Sequence, residues 1–139
     1  MAQKLTIQCK DGYPLQASFY PSTGQHGLII NAAMGVSQRF YKQFAEYMSN
    51  NGIAVLTYDY RGMERHKDNN NQSDILNWGA DQSHVLEFAK NELKLTHLTI
   101  LGNSVGGQII GMMKDHSDIK KVALITSQIG DWRLWPMPV

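Results

Sequence analysis

The sequence predicts an α/β fold in which a mostly parallel sheet is covered by helices on both faces. Short, continuous apolar segments recur along the 139 residues, and such segments are typical of strands buried on both faces. Helical patterns separate these segments, and this alternation predicts right-handed crossovers between parallel strands. The four continuous strand segments cover residues 27–30, 53–58, 98–101 and 122–125.

An antiparallel hairpin is predicted at the amino-terminal end. Apolar and polar residues alternate over residues 4–8 and again over residues 15–20, which is typical of strands with one buried face. The dipeptide Asp11-Gly12 between them is a turn signal. The hairpin brings the predicted sheet to about six strands.

Three helices are predicted between the later strands. The first has aromatic and apolar residues at i, i+4, i+7 and i+8 and should end at Asn51-Gly52, a common helix stop. The second helix should begin between Ser73 and Trp78. The polar segment 62–73 before it is long for a connection and is either a loop beside a functional site or a surface excursion. The residues that mark the three apolar faces are Phe40, Phe44, Tyr47 and Met48; Leu86, Ala89 and Leu93; and Val105, Ile109 and Met113.

Composition narrows the class of protein to a single globular domain over residues 1–139. Hydrophobic residues make up 42%, charged residues 18%, and the net charge is +1, so no basic face for nucleic acid is predicted. No apolar run approaches the length of a membrane span. The single cysteine, Cys9, excludes an internal disulfide and is expected to be a small buried side chain. Without an apolar leader segment, a cytoplasmic location is expected.

The segment Gly102-Asn103-Ser104-Val105-Gly106 carries the clearest chemical signal. It lies between a predicted strand and a predicted helix, which is the context of a nucleophile elbow. The sharp turn exposes Ser104, and glycines at 102 and 106 remove side chains that would clash. Free N–H groups at the start of the following helix can stabilise an oxyanion, and Val105 is the expected first donor. The competing interpretation is a tight turn in which Ser104 only caps the helix.

The loop after the third strand, residues 31–36, is the expected source of a second oxyanion donor. Small residues and glycine in this loop allow the backbone to approach a ligand closely. The N–H of Met34 is the favoured donor, and Ala33 is the alternative. Tyr41 and Met63, with Met34, are candidates either for lining a pocket or for the core.

These motifs resemble those of the α/β-hydrolase superfamily, and the resemblance covers almost the whole chain. Besides the elbow, Asp59-Tyr60-Arg61-Gly62 looks like the family's Asp-x-Arg-Gly turn, and residues 77–81 resemble the start of the next helix. Residues 33–41 are similar to those of predicted bacterial hydrolases related to serine aminopeptidases and lysophospholipases. Many members of the superfamily carry His-Gly at the oxyanion loop, and this sequence does not.

The resemblance implies hydrolysis of a small ester or amide through an acyl-enzyme at Ser104, with no cofactor and no metal. It also implies that Asp59 and Arg61 are structural and fix their turn by hydrogen bonds and a charge pair. Asp81, near the start of a predicted helix, is interpreted as stabilising the helix dipole.

A catalytic triad requires an acid and a histidine after Ser104 in the chain. The resemblance implies that the cap, the last two strands and the histidine loop are missing, so the sequence is expected to be the front half of the domain. Asp131 occupies an alternative acid position but is more typical of a surface loop. Four of the histidines are predicted to point away from Ser104: His26, His84, His97 and His116. His66 is the one histidine on the same side of the sheet as Ser104 that could replace the missing triad histidine.

Two hypotheses follow for the chain. The first is a serine hydrolase that is incomplete within these residues; the second is a non-catalytic fragment of the fold that acts as a binding or structural module. In either case the strand between Val122 and Thr126 is expected to be an apolar sheet edge, through which copies of the chain would self-associate.

Overall fold

The computed structural model describes residues 2–63 and 75–126, and these form one six-stranded sheet, three α-helices and a short 3₁₀ helix. The strands are β1 (Gln3–Gln8), β2 (Pro14–Tyr20), β3 (His26–Asn31), β4 (Ala54–Tyr58), β5 (His97–Asn103) and β6 (Ile119–Ile125). The helices are α1 (Lys42–Asn50), α2 (Ile75–Asn91) and α3 (Val105–Gly111), and the 3₁₀ helix covers Gln38–Tyr41.

The strand order is β1-β2-β4-β3-β5-β6. β1 and β2 form the predicted antiparallel hairpin, β2 pairs antiparallel with β4, and the remaining neighbours are parallel. The α/β prediction is therefore confirmed. In this order β3 lies between β4 and β5, and Asn31 at the end of β3 is in register with Gly102 of β5. The loop after β3 consequently emerges beside the segment that contains Ser104.

Helices cover the sheet on both faces. The path from β3 to β4 moves one way across the sheet, whereas the paths from β4 to β5 and from β5 to β6 move the other way. Right-handed crossovers then place α1 on one face and α2 with α3 on the opposite face. α2 and α3 contact each other, and α3 packs on β5 and β3. The core is formed by the strand residues predicted to be buried, among them Ile29, Val55, Leu56, Ile100 and Leu98.

The prediction of which residues form the buried apolar face of the first helix is wrong. Phe40 and Tyr47 are 72% and 65% exposed, and Phe44 is also exposed, whereas the buried residue of α1 is Ala45. Phe40 lies in the 3₁₀ helix, so the 3.6-residue period does not continue through it. The small side chain of Ala45 lets α1 approach the sheet closely, and Met48 packs at the edge of the core.

Arg61 connects three elements through its buried guanidinium group. Nε and Nη2 donate to the two carboxylate oxygens of Asp81 in α2, both at 2.7 Å. Nη1 donates to Asp11 in the hairpin turn at 2.7 Å, and the ring of Tyr13 lies 4.4 Å from the guanidinium carbon. The backbone carbonyl of the same residue accepts from Trp78 Nε1. The hydrogen bonds to Asp11 and, second, to Asp81 raise the pKa of Arg61. The hydrogen bond from Arg61, followed by that from the Tyr13 N–H, lowers the pKa of Asp11 to about 2.

This arrangement corrects two expectations. Asp59 and Arg61 have separate partners instead of forming a charge pair: Asp59 accepts hydrogen bonds from the backbone and side chain of Gln38. Asp81 lies six residues after Ile75, too far into α2 to act on the helix dipole, which falls off within the first turn. Its carboxylate is instead buried against Arg61.

No helix in residues 2–63 and 75–126 is long and apolar enough to cross a membrane.

We predict that Arg61→Ala lowers the free energy of unfolding by about 3 kcal/mol or more, because it leaves the Asp81 carboxylate buried without its counter-charge. Urea denaturation followed by circular dichroism measures this change. The matched control is Lys90→Ala, which removes the exposed ion pair with Asp118 and should leave the midpoint nearly unchanged. Equal effects of the two substitutions would contradict the prediction.

Candidate functional site

Ser104 lies between β5 and α3 in a backbone conformation that L-residues rarely adopt, with φ 56° and ψ −117°. Such strain costs on the order of 1–3 kcal/mol and persists where the surrounding structure enforces it. The Ser104 side chain makes no capping hydrogen bond to α3, so the interpretation of a capping serine is wrong. Its backbone N–H donates to the carbonyl of Ile125 at 3.0 Å, which ties the turn to the end of β6. The side chain is half-buried at the carboxyl edge of the sheet.

The glycines on either side of Ser104 lie where any side chain would collide with backbone. A Cβ at Gly102 would lie 2.5 Å from backbone atoms of Gly107. A Cβ at Gly106 would lie well inside 3.0 Å of the carbonyl oxygen of Asn31, at the end of β3. The turn between strand and helix is therefore so tight that it requires glycine on both sides of the serine, as the sequence pattern predicts.

A buried polar network that the sequence pattern did not predict lies directly beneath this turn. Asn31, fully buried, accepts a hydrogen bond from Tyr58 Oη at 2.7 Å and donates to Gln82 Oε1 at 2.6 Å. Gln82 Nε2 in turn donates to the carbonyl of Ile109 in α3 at 2.9 Å. Burial raises the pKa of Tyr58, which keeps its hydroxyl protonated as a donor. The signal available in the sequence was that Asn31 is a polar residue at the end of an apolar strand.

The loop after β3 is held at two consecutive residues beyond that network. The carbonyl of Ala32 accepts from Tyr60 Oη at 2.6 Å, and the N–H of Ala33 donates to Tyr41 Oη at 3.2 Å. Met34 follows, and in the described part of the chain its N–H has no acceptor. Its side chain is exposed, so it does not belong to the core. Of the two candidate donors, Met34 is the one whose N–H remains available to a ligand.

The first N–H groups of α3 complete the arrangement. Val105 is the first residue of this helix, and the first N–H groups of any helix lack intrahelical acceptors. Ser104 thus directly precedes a helix amino terminus, and the loop after β3 begins beside the strand that leads to Ser104. Such a pair of backbone donors is suited to an oxygen that gains negative charge.

The four histidines within residues 2–63 and 75–126 all have contacts elsewhere. His26 and His97 stack on each other with ring centroids 4.6 Å apart, at the amino ends of β3 and β5 and therefore at the opposite edge of the sheet from Ser104. His84 contacts the Lys10 N–H and the Ala80 carbonyl, and His116 contacts the Ile110 carbonyl. His66 and Asp131 lie outside the described residues.

Within residues 2–63 and 75–126, one cluster contains metal-binding atom types: Cys9, Asp81 and His84, whose donor atoms lie within 4.8 Å of one another. The ligand atoms of Asp81 and His84 already have partners. Both oxygens of Asp81 accept from Arg61, and both ring nitrogens of His84 make hydrogen bonds. Burial, aided by the Asp81 charge, raises the pKa of the Cys9 thiol to about 12, so the thiol stays protonated. A cation here would also face the Arg61 guanidinium group.

We predict that Gly106→Ala destabilises the fold by about 3 kcal/mol or more, because the added methyl group overlaps the Asn31 carbonyl and backbone must move. Gly111→Ala in the same helix is the control, since a Cβ there has no described atom within 4 Å. It should be neutral or stabilise by up to about 1 kcal/mol. Thermal unfolding measures both, and a Gly106→Ala variant as stable as the parent chain would refute the close contact.

Comparison with known proteins places the chain in a family. The family model of the serine aminopeptidases, S33, matches residues 26–137. No match was found among curated proteins.

Solved structures share the fold at low sequence identity. An esterase from Exiguobacterium antarcticum superposes with a TM-score of 0.75 at 21% identity, covering 90% of this chain and 46% of the esterase. The α/β-hydrolase GrgF from Penicillium sp. sh18 gives 0.78 at 16% identity, with 91% and 46% covered. A carboxyl esterase from Bacillus coagulans gives 0.74 at 16%, with 88% and 43% covered. The chain thus spans a little under half the length of these structures. It belongs to the serine aminopeptidase family S33, within the α/β-hydrolase superfamily.

Proposed function

We propose that this chain carries the nucleophile and the oxyanion-binding groups of a serine hydrolase. The observation that carries the proposal is the strained backbone of Ser104 at the start of α3, with a side chain that makes no capping hydrogen bond. Strain of this kind is retained where function requires it. Family membership supports the same chemistry.

The reaction we propose is acyl transfer through Ser104. The Oγ atom attacks the substrate carbonyl carbon as a general base removes the hydroxyl proton. The carbonyl π electrons move onto oxygen, and the N–H groups of Val105 and Met34 stabilise that charge. Collapse of the tetrahedral intermediate expels the alcohol or amine, which takes up the proton, and water then releases the acid from Ser104.

The general base has to come from outside the described residues, because the four described histidines have contacts elsewhere. The proposed substrate is a small ester or amide. Two of the structural neighbours are named as esterases, which agrees with this class. The chemistry needs no cofactor and no metal ion. In this proposal Gly102 and Gly106 shape the turn, and Asp59 and Arg61 fix the neighbouring loops.

A second candidate function is a non-catalytic module that keeps the fold. The engagement of the described histidines away from Ser104 is the observation that favours it. The two candidates differ in one property, the reactivity of the Ser104 hydroxyl group.

We predict that a fluorophosphonate probe labels the folded chain and that Ser104→Ala abolishes the labelling, because the probe reacts with an activated serine. Ser83→Ala, at an exposed serine of α2, is the matched control and should label like the parent chain. Labelling is measured by intact-protein mass spectrometry, with circular dichroism to confirm folding. A folded chain that stays unlabelled would support the non-catalytic module.

We further propose that two copies of the chain associate through β6. This strand is the last in the described sheet order, and Val122, Leu124 and Ile125 are each about half exposed. An apolar edge strand can pair with the same strand of a second copy.

We predict that Leu124→Lys lowers the mass measured by light scattering at high protein concentration, because charge on an edge strand opposes strand pairing. Tyr47→Lys, at an exposed residue of α1, is the control and should leave the mass unchanged. A monomeric parent chain at the same concentration would contradict association through this edge.

A further inference from the structure

A single hydroxyl group joins the two backbone segments of the candidate site. Tyr41 Oη accepts the N–H of Ala33 at 3.2 Å and also accepts Asn103 Nδ2 at 2.9 Å. Ala33 directly precedes Met34, and Asn103 directly precedes Ser104. One oxygen atom therefore connects the loop after β3 with the nucleophile turn after β5.

The backbone that carries Tyr41 is itself held firmly. Tyr41 ends the 3₁₀ helix, whose first residue, Gln38, makes contacts through its backbone and its side chain. Asp59 accepts from Gln38 N at 2.9 Å and from Nε2 at 2.8 Å, and Thr57 Oγ1 donates to Gln38 Oε1 at 3.2 Å. The ring of Tyr41 is buried and packs edge-on against Phe40. Asp59 thus holds the first residue of the 3₁₀ helix that ends at Tyr41.

We propose that Tyr41 is a positioning residue whose hydroxyl group sets the distance between the Met34 N–H and the Ser104–Val105 turn. The proposal rests on the proposed hydrolase function. An oxyanion must lie about 2.7–3.1 Å from its donors, so a shift of either segment weakens the interaction. The register of β3 and β5 holds Asn31 beside Gly102, but the loop beyond Asn31 lies outside the sheet hydrogen bonds. There the Tyr41 hydroxyl directly bridges the loop and the turn.

Tyr41→Phe tests the role of this one oxygen atom, because the buried ring remains while both hydrogen bonds are lost. We expect the rate of fluorophosphonate labelling at Ser104 to fall about tenfold, somewhat less than the effect of removing an oxyanion donor outright. Hydrogen exchange followed by mass spectrometry should become faster in two segments together, residues 32–36 and residues 103–106. Tyr47→Phe, the same substitution at an exposed tyrosine of α1, should change neither measurement.

A double variant separates positioning from general loss of stability. If Tyr41 acts through Asn103, then Asn103→Ala should slow labelling, and the double variant with Tyr41→Phe should be no slower than the slower single variant. Independent, multiplying effects would overturn the proposal, as would a Tyr41→Phe chain that labels at the parent rate.

The experiment also distinguishes failure of the proposed function from failure of this inference. A folded parent chain that does not label contradicts the hydrolase proposal, and the exchange measurement then decides the role of Tyr41. Faster exchange in both segments would support the link between them. Unchanged exchange in either segment would overturn it.

Discussion

The close approach of Gly106 to the carbonyl group of Asn31 is the constraint on which the site depends. It brings the first turn of α3 onto the end of β3, with no room for a side chain between them. Ser104 is consequently held in a strained turn directly beside the loop that follows β3. Asn31 contributes twice, because its carbonyl group meets the glycine while its side chain joins Tyr58 and Gln82 beneath the turn.

The interior and the carboxyl edge of the sheet are stabilised by different kinds of interaction. The strand residues form an apolar core, and burial of apolar surface favours compact layers without specifying positions to a fraction of an ångström. At the carboxyl edge the contacts are directional hydrogen bonds and ion pairs. Arg61 joins the hairpin turn to α2, and Asp59 holds Gln38 of the 3₁₀ helix. Directional contacts of this kind are what a site with exact donor positions requires.

Under the proposed hydrolase function, the described residues supply one side of the site. They hold a serine in a strained turn, a helix amino terminus beside it and a loop N–H available to a ligand. A serine hydroxyl is a weak nucleophile until a base removes its proton. The chain spans a little under half the length of the structures that it matches, so the reactivity of Ser104 is the property that separates an enzyme from a scaffold.

Much of the fold could be predicted from sequence because burial leaves a periodic pattern within each element. The apolar segments predicted four strands, the Asp11-Gly12 turn predicted the hairpin, and the glycines around Ser104 predicted the turn. All three signals are local, since they reflect the backbone and the burial of neighbouring residues. The pattern failed at the first helix, where a change from 3₁₀ to α geometry interrupts the period and leaves Phe40 exposed.

Only the tertiary structure decided which polar groups meet. The partners of Arg61 lie 50 and 20 positions away in the chain, and Tyr41 and Asn103 are 62 positions apart. No periodicity within one element encodes such pairs, because they depend on strand order and on how loops leave the sheet. The choice between Ala33 and Met34 was also decided by the tertiary structure, because the hydroxyl group of Tyr41, eight positions after Ala33, accepts one of the two N–H groups. The sequence by itself determined the class of fold and the position of the turn, and the packing of distant segments determined the geometry of the site.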